Sequence, residues 1–380
     1  MSAQQKKLFL LKTKVGAFSQ QKIPAPQATT SRNIKLQRNS TRLPSLASNQ
    51  LMYSPIVHSK QKTVLNISIT KLDDFHKNVV RYHSIKCVDG QDYRRYKIRS
   101  QDYVQCKTKI GDGNGKHVFI LNDGHGTSGL PIARFVGMEL DKSYQDIISK
   151  LDANNMKDEK IHEEIIDLYK NTDELLSQQS EIDTSQSGSS NISILIVGDQ
   201  LLCVNCGDSK ALFYYKNDFQ EQTIHLWRMK NLSFEHVPSR ETELLRVRSH
   251  NGRIDQQMIR GLKQGNLQIW TKNKLDQGLH ITRCFGNKVH KTVGVTVEPE
   301  IIHFRFPKSG YLVIATSSLW SYLDTMDIGQ VLNKYNPPKS QSEITRIENE
   351  ILANAHHFWD GEHDGIQDIS LMIIFIDLQL

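Results

Sequence analysis

Three things are scarce in this sequence, and each scarcity removes a class of protein. Long apolar runs are missing: the longest, Leu371 to Ile376, falls far short of the roughly 18 residues needed to cross a bilayer, so no transmembrane helix is expected. Cysteine is sparse, scattered and odd in number at five, which excludes a small disulfide-framed scaffold and favours a reducing compartment. Cys203 and Cys206 form a CxxC, but it lies in an apolar run with no second pair for zinc, so both are expected in the core. Acid is absent from residues 1–72, which hold twelve Lys and Arg; the rest of the chain carries 36 bases against 41 acids. The net charge of +7 therefore averages a basic arm, 1–72, and a mildly acidic domain, 75–380.

The arm is rich in Ser, Gln, Thr, Asn and Lys, and lacks core-forming periodicity except at its start. There Leu8, Leu11, Val15 and Phe18 recur at helical spacing among Lys6, Lys7, Lys12 and Lys14, the pattern of a basic amphipathic helix. Such a leader suits a mitochondrial transit segment, a retained arm lying on an acidic partner surface, or a solvated tail. A mitochondrial address is the first expectation and a cytoplasmic or ciliary cytoskeletal assembly the second; nucleic acid is not the expected partner.

The chain's 38% hydrophobic content supports one sizeable core. Val118 to Leu121, Ile192 to Val197, Leu201 to Val204, Ala211 to Tyr215, Ile301 to Phe306, Tyr311 to Ala315 and Ser370 to Ile376 read as strands rich in β-branched and aromatic residues. Leu130 to Leu151 reads as a helix striped by Ile132, Phe135, Val136 and Leu140. A second helix carries Ile161, Ile165, Leu168 and Leu175, and a third Ile344, Ile347 and Ile351. Several strands follow one another with only a turn between them, which favours antiparallel sheets covered by paired helices over a doubly wound parallel sheet. The polar stretch Met258 to Gln277 is longer than a tight connection requires and suits a flap or a partner surface. Tryptophans 227, 270, 320 and 359 are expected as core or interface anchors.

The segment that points to chemistry is Asp123-Gly124-His125-Gly126, delivered by the apolar strand Val118 to Asn122. A strand that feeds a carboxylate and a backbone carbonyl into a glycine-permitted turn suits a hard cation. Further blocks follow in order. They are Gly188-Ser189-Ser190; Asn205-Cys-Gly207-Asp208-Ser209-Lys210-Ala211; Glu235-His236-Val-Pro238 with Glu243, Arg246 and Gly252; Leu279-His-Ile-Thr-Arg283-Cys-Phe285-Gly286-Asn287; Pro299-Glu300; Ala315-Thr-Ser-Ser-Leu319-Trp320; and Gln367-Asp368-Ile369-Ser370. In this order they resemble the PPM-type (type 2C) metal-dependent serine/threonine protein phosphatases. The resemblance implies an α+β fold, a four-layer α-β-β-α sandwich of two mainly antiparallel sheets flanked by helices. It also implies two Mg²⁺ or Mn²⁺ ions at one edge, sharing a bridging aspartate and activating a water against a phosphoserine or phosphothreonine.

Carried over residue by residue, the resemblance makes Asp123 the bridging aspartate, Gly124 the carbonyl ligand and His125 the general acid, and retains Asp102 from the opening acidic pair. Gln101 stands where the family has glutamate, and Ser317 and Gln367 where it has aspartate. Lys97 replaces the phosphate-gripping arginine, with Arg99 as a substitute. Losing two of the three aspartates around one ion removes the charge that holds it. A register shift could return Asp368, or the acids Asp360, Glu362 and Asp364, although strand alternation places Asp368 on the opposite face from residue 367 unless a bulge intervenes. Asp208 is expected as a hairpin turn residue more than as a ligand, and Arg246 and Arg283 in structural ion pairs. The leading expectation is a pseudophosphatase: a scaffold or accessory subunit of a larger protein assembly, with no cofactor. The alternatives are a Mg²⁺- or Mn²⁺-dependent phosphatase with an altered metal site, and a module that binds phosphoresidues without hydrolysing them.

Overall fold

A computed structural model describes residues 78–379, apart from 93, 95, 111–114, 153, 217–226, 273–276 and 360–364. The basic arm, Asp360, Glu362 and Asp364 lie outside the described residues. In chain order the elements are β1 (Val80–Val88), β2 (Gly90–Gln91), β3 (Lys97–Ile98), β4 (Tyr103–Thr108), β5 (Lys116–His125), α1 (Gly129–Lys150) and α2 (Glu159–Ser177). There follow β6 (Gly188–Val197), β7 (Gln200–Cys206), β8 (Lys210–Lys216), β9 (Trp227–Asn231), α3 (Glu241–Ser249), β10 (Arg253–Ile259), β11 (Leu262–Trp270), β12 (Phe285–Gly286) and α4 (Lys288–Lys291). The chain ends through β13 (Glu300–Arg305), β14 (Gly310–Ala315), α5 (Ser317–Tyr322), α6 (Thr325–Lys334), α7 (Gln341–Trp359) and β15 (Ile369–Ile376).

Period-2 alternation along these strands builds the layers. One sheet runs β13-β7-β6-β5-β4, with β12 pairing to the start of β6, and the other runs β1-β15-β14-β8-β9, every pairing antiparallel. Phe119 and Leu121 of β5 and Ile192 and Ile194 of β6 meet Phe213, Leu312, Ile314 and Met372 of the second sheet in the central core. The alternate residues, Val118, Ile120 and Leu195, face Ile132, Val136, Leu140, Ile165 and Tyr169 of α1 and α2. On the far side Leu212, Val313, Leu371 and Ile373 face Ile328, Val331, Ile344, Ile347 and Ile351 of α6 and α7. The expected four-layer α-β-β-α sandwich is what forms. Because β15 is covered on both faces it reads as an unbroken apolar run rather than an alternating one.

Departures from expectation have local causes. On α2 the stripe is closed by Leu176, which is fully buried, and not by Leu175, which is 43% exposed, because Leu176 continues the one-face spacing of the buried Tyr169 and Thr172. Cys203 faces the central core and Cys206 the α1 side, because residues three apart in a strand point to opposite faces, so the two thiols cannot serve one ion. Residues 253–270 form the β10–β11 hairpin, turned by Arg260 and Gly261 at positive φ, with Met258, Ile259 and Leu262 exposed at its tip. It stands on a separate small core of Val247, Ile269, Leu279, Ile281, Val293 and Val295. Among the described residues no helix is long and apolar enough to cross a membrane.

Candidate functional site

The C-terminal end of β5 carries Asp123, Gly124 and His125 beside the start of β6, with Asp123 opposite Ser190 and Gly124 opposite Ser189. Four other segments converge on this edge. They are the β7–β8 turn with Asp208, the Leu279–Ile281 stretch, the start of α5 with Ser317 and Ser318, and Gln367 and Asp368 just ahead of β15. Together they enclose a cleft of about 140 Å³. Glycine is required at two points of its frame. A Cβ on Gly124 would stand 2.5 Å from the Gly129 carbonyl oxygen and 2.6 Å from that of Gln101, and Gly207 holds φ at +139° with the Ser190 Cβ against it.

Asp102 and Asp123 meet beneath the cleft. Asp102 is buried; its Oδ2 accepts the Ser370 hydroxyl at 2.6 Å, and Oδ1 has no donor among the described residues. Burial, then the charge of Asp368, pushes the Asp102 carboxyl up to about 8. Burial, then the charges of Asp102, Asp208 and Asp368, holds Asp123 well above the usual carboxylate range. Ionised carboxylates only accept hydrogen bonds, so two buried side by side without a donor favour the protonated form.

Across the cleft Asp208 is differently placed. Burial opposes its charge, but the hydrogen bond and charge of His280, with the Ser317 hydroxyl, outweigh this and hold its carboxyl below the usual range. The His280 Nε2 lies 3.5 Å from Asp208 Oδ2, and that hydrogen bond raises the imidazole against the opposing effect of burial. His125 is the reverse case: burial, then the neighbouring His280, pushes it down to about 4, so its ring is neutral at physiological pH, with Nε2 against the side-chain amide of Asn287.

The predicted site residues are distributed as follows. Asp123, Gly124, His125, Ser317, Gln367 and Asp368 line one cleft and Asp102 lies under it. Asp368 and Gln367 reach the same cleft, against the expectation from strand alternation, because β15 begins only at Ile369 and residues 367 and 368 are not yet in the sheet. The Asp368 carboxylate is already engaged, accepting the Gln101 N–H at 2.7 Å and the Ser100 hydroxyl at 3.0 Å. Gln101 turns its side chain to the Gly126 carbonyl at 3.1 Å and lies over Gly129 at the start of α1. Lys97 and Arg99 are exposed and neither lines the cleft: they sit on and beside the short β2–β3 hairpin, which is anchored to Ile366 through Gln91. Asp208 does occupy the expected turn and in addition enters the cleft. His280, which the sequence reading did not single out, was signalled only by lying in the Leu279–Asn287 block.

A second network holds the walls. The buried Glu243 receives both Arg246 and Arg283 in bidentate fashion and the Thr282 hydroxyl at 2.5 Å. His236 accepts the Gly207 N–H at 3.1 Å on Nδ1, and the His236 backbone N–H donates to the Gly207 carbonyl at 2.9 Å, so this network sets the Asp208 turn.

Residues 96–352 match the protein phosphatase 2C family. The chain belongs to that family. It is similar to the probable protein phosphatase 2C 35 of Arabidopsis thaliana, 25% identical over 298 residues that cover 73% of this chain and 78% of that protein. The probable protein phosphatase 2C 72 of the same plant is 24% identical over 74% of this chain and 82% of its own length. Among solved structures, the serine-threonine phosphatase 2C of Toxoplasma gondii superposes with a TM-score of 0.60 at 16% identity, covering 79% of this chain and 97% of that one. A C. elegans sex determining protein does so at 0.59 and 17%, covering 80% and 66%. Likeness at that identity shows the fold.

The protein phosphatase 2C family is a family of metal-dependent protein serine/threonine phosphatases, so the cleft can be tested against its ions. Among the described residues no group of three His, Cys, Asp or Glu side chains is arranged to hold a metal. The donors that remain are committed elsewhere: Asp208 to His280, Asp368 to the 100–101 segment, and Asp102 to Ser370 and Asp123. Ser317 and Gln367 bring no charge, and the Ser317 hydroxyl serves Asp208. This side-chain arrangement does not fit a two-ion centre.

Proposed function

We propose that this protein phosphatase 2C family member is catalytically impaired and works as a scaffold or accessory subunit of a protein assembly. One observation carries the reading. In the cleft, the two positions where aspartates would hold an ion are Ser317 and Gln367, and the acid opposite them, Asp208, is paired with the His280 imidazole. A hydroxyl and an amide can ligate but cannot supply the negative charge that holds a divalent ion and acidifies its water. The neutral His125 adds to this, since an imidazole already deprotonated at neutral pH is poorly placed to donate a proton. The test is calorimetric titration of the purified chain with Mn²⁺ beside a phosphopeptide hydrolysis assay. Absence of saturable binding and of turnover is the expected result; saturable binding with turnover that Asp123→Ala abolishes overturns it.

A second reading, a phosphatase with an altered metal site, draws support from Asp368, whose place in the cleft puts one acid near the lost pair. It requires Asp368 to exchange the Gln101 and Ser100 donors for an ion, and its signature is Mn²⁺-dependent turnover lost in Asp368→Asn. The partners belong to the same proposal: protein components of the assembly, with an acidic surface for residues 1–72. N-terminal sequencing of the native chain tests the proposed mitochondrial address, which requires a new start within or just after the arm; an intact start favours the cytoplasmic or ciliary alternative.

A further inference from the structure

Among the described residues, the distal half of the β10–β11 hairpin stands clear of the rest of the domain. Every residue from 257 to 266 is exposed. Arg260 and Gly261, both at positive φ, close it in a two-residue turn, and a Cβ on Gly261 or Gly265 would meet nothing within 4 Å. The base, by contrast, is fixed. Ile269 exchanges two backbone hydrogen bonds with Leu279, at 2.7 and 3.0 Å, the Trp270 indole N–H donates to the Asp255 carbonyl at 3.1 Å, and the Arg253 guanidinium lies over the Trp270 ring. A rigid stem thus holds out an unpacked tip.

That tip is apolar on both faces. Met258 is 58% exposed, Ile259 41% and Leu262 65%. Ile259 pairs with Leu262 and Met258 with Lys263, and cross-strand partners share a face, so Ile259 and Leu262 lie on one side and Met258 on the other. Docking flat on a protein would cover one face and leave the other in water, whereas end-on entry into the interfacial layer of a membrane covers both. The charge of the segment is of one sign. From Gln256 to Leu275 the sequence contains Arg260, Lys263, Lys272 and Lys274 and no acid. Arg260 is exposed at the turn itself. Lys263 reaches back to Asp255 at 2.7 Å, a surface ion pair of the weak and exchangeable kind.

We propose that the β10–β11 tip is a peripheral docking element for an anionic lipid surface, with Met258, Ile259 and Leu262 entering the interfacial layer and Arg260 and Lys263 meeting headgroup phosphates. Arg and Lys suit this place because their aliphatic stems lie along apolar surface while the charged heads stay at headgroup level. Entry is shallow. The outward N–H and C=O groups of the turn would have no partner in hydrocarbon, so the tip stops at the boundary of headgroups and acyl chains, about 5–10 Å deep. The stem rests on the small core that contains Leu279 and Ile281, and Ile281 also lines the Asp123 cleft, so docking fixes the orientation of that cleft to the surface. None of this depends on whether the cleft holds a metal.

The experiment is co-sedimentation of the purified full chain with phosphatidylcholine vesicles and with mixed phosphatidylcholine–phosphatidylserine vesicles. Binding is expected to the mixed vesicles and should be at least about tenfold weaker to phosphatidylcholine alone. Met258→Ser, Ile259→Ser and Leu262→Ser together should weaken binding to the mixed vesicles by at least about tenfold, and that loss should persist at raised salt because apolar burial is not screened. Arg260→Gln with Lys263→Gln should weaken it by about five- to twentyfold, a difference that shrinks as salt rises. Residues 1–72 are present in every one of these proteins, so their charge produces neither difference. Leu262→Asp alone, at the most exposed of the three positions, should lower affinity in the same direction and serves if the triple variant is less stable. Equal binding to the two kinds of vesicle, or apolar variants that bind like the parent, would each overturn the assignment. So would absence of binding to the mixed vesicles, which would leave the tip to a protein partner.

Discussion

The Asp102–Asp123 contact makes a quantitative prediction about stability. In the unfolded chain both carboxyls ionise near pH 4, whereas in the folded chain Asp102 is pushed up to about 8 and Asp123 is raised too. A group whose folded pKa lies above its unfolded value contributes stability that is complete below the unfolded pKa and lost as pH rises toward the folded one. Stability should therefore decline from about pH 4 to about pH 8. If the pair retains one proton that the unfolded chain releases, the slope is about 1.4 kcal/mol per pH unit, or on the order of 2–3 kcal/mol between pH 5 and 7. Asp102→Asn removes the need for that proton while leaving an oxygen to accept the Ser370 hydroxyl. Urea denaturation of the two proteins at pH 5, 6 and 7, in chelator, separates this pair from all other titrating groups, because those contribute to both. The variant should gain on the parent by that amount as pH rises. Parallel stability curves would refute the shared proton.

Adding charge at these positions should raise affinity for metal: Ser317→Asp combined with Gln367→Asp is expected to bind Mn²⁺ in the calorimetric range and more tightly than the parent, and failure of the double variant to do so would show that Asp208–His280, not the neutral residues, closes the site. Adding His280→Ala to that pair should tighten Mn²⁺ further, read as a lower dissociation constant, because it releases Asp208. Glu243→Ala should destabilise the fold by about 3–5 kcal/mol in denaturant titration, since it strands Arg246 and Arg283 against each other in a largely buried setting. A change below about 1 kcal/mol would mean that water reaches those guanidinium groups. Ile194→Ala, in the middle of the inter-sheet core, should cost about 2–5 kcal/mol in denaturant titration and lower the melting temperature.

The parts of the fold legible in the sequence are those where one physical pattern dominates. Strands β5 to β8, β14 and β15 are largely buried on both faces and announce themselves as apolar runs, and α1 and α2 carry strong apolar stripes. β1, β4 and β9 were not singled out: they lie at sheet edges, hardly any of their side chains are fully buried, and their mixed polarity gives neither a run nor a clean alternation. The β10–β11 hairpin was visible only as an overlong polar stretch for the same reason. In the site, the position of Asp123 followed from strand plus glycine turn, but the pairing of Asp208 with His280 joins residues 72 apart and no local pattern encodes it. Lys97 and Arg99 stand exposed on and beside a two-residue hairpin strand, outside the cleft's lining, a placement that nearness in sequence does not encode.

If the proposed loss of metal holds, the way this cleft is held accounts for a fold that keeps its shape without ions. Carboxylates gathered for a metal repel one another when the metal is gone, and that repulsion must be relieved by protonation, by substitution or by a built-in cation. All three appear together. The Asp102 and Asp123 carboxyls are both raised toward the protonated form; Ser317 and Gln367 carry no charge; His280 lies against Asp208. The frame around them is fixed by groups that take no part in this balance. Glu243 with its two arginines secures the Leu279–Arg283 stretch, His236 secures the Gly207 turn, and Asn191 joins Asn122 at 2.8 Å and Ser193 at 2.9 Å beneath the β5–β6 register. Removing ligand acids from a site framed this way relaxes electrostatic strain without loosening the walls. The structural network should therefore be intolerant of substitution in denaturation experiments, while the metal-facing positions should accept neutral residues with little change in stability or even a gain.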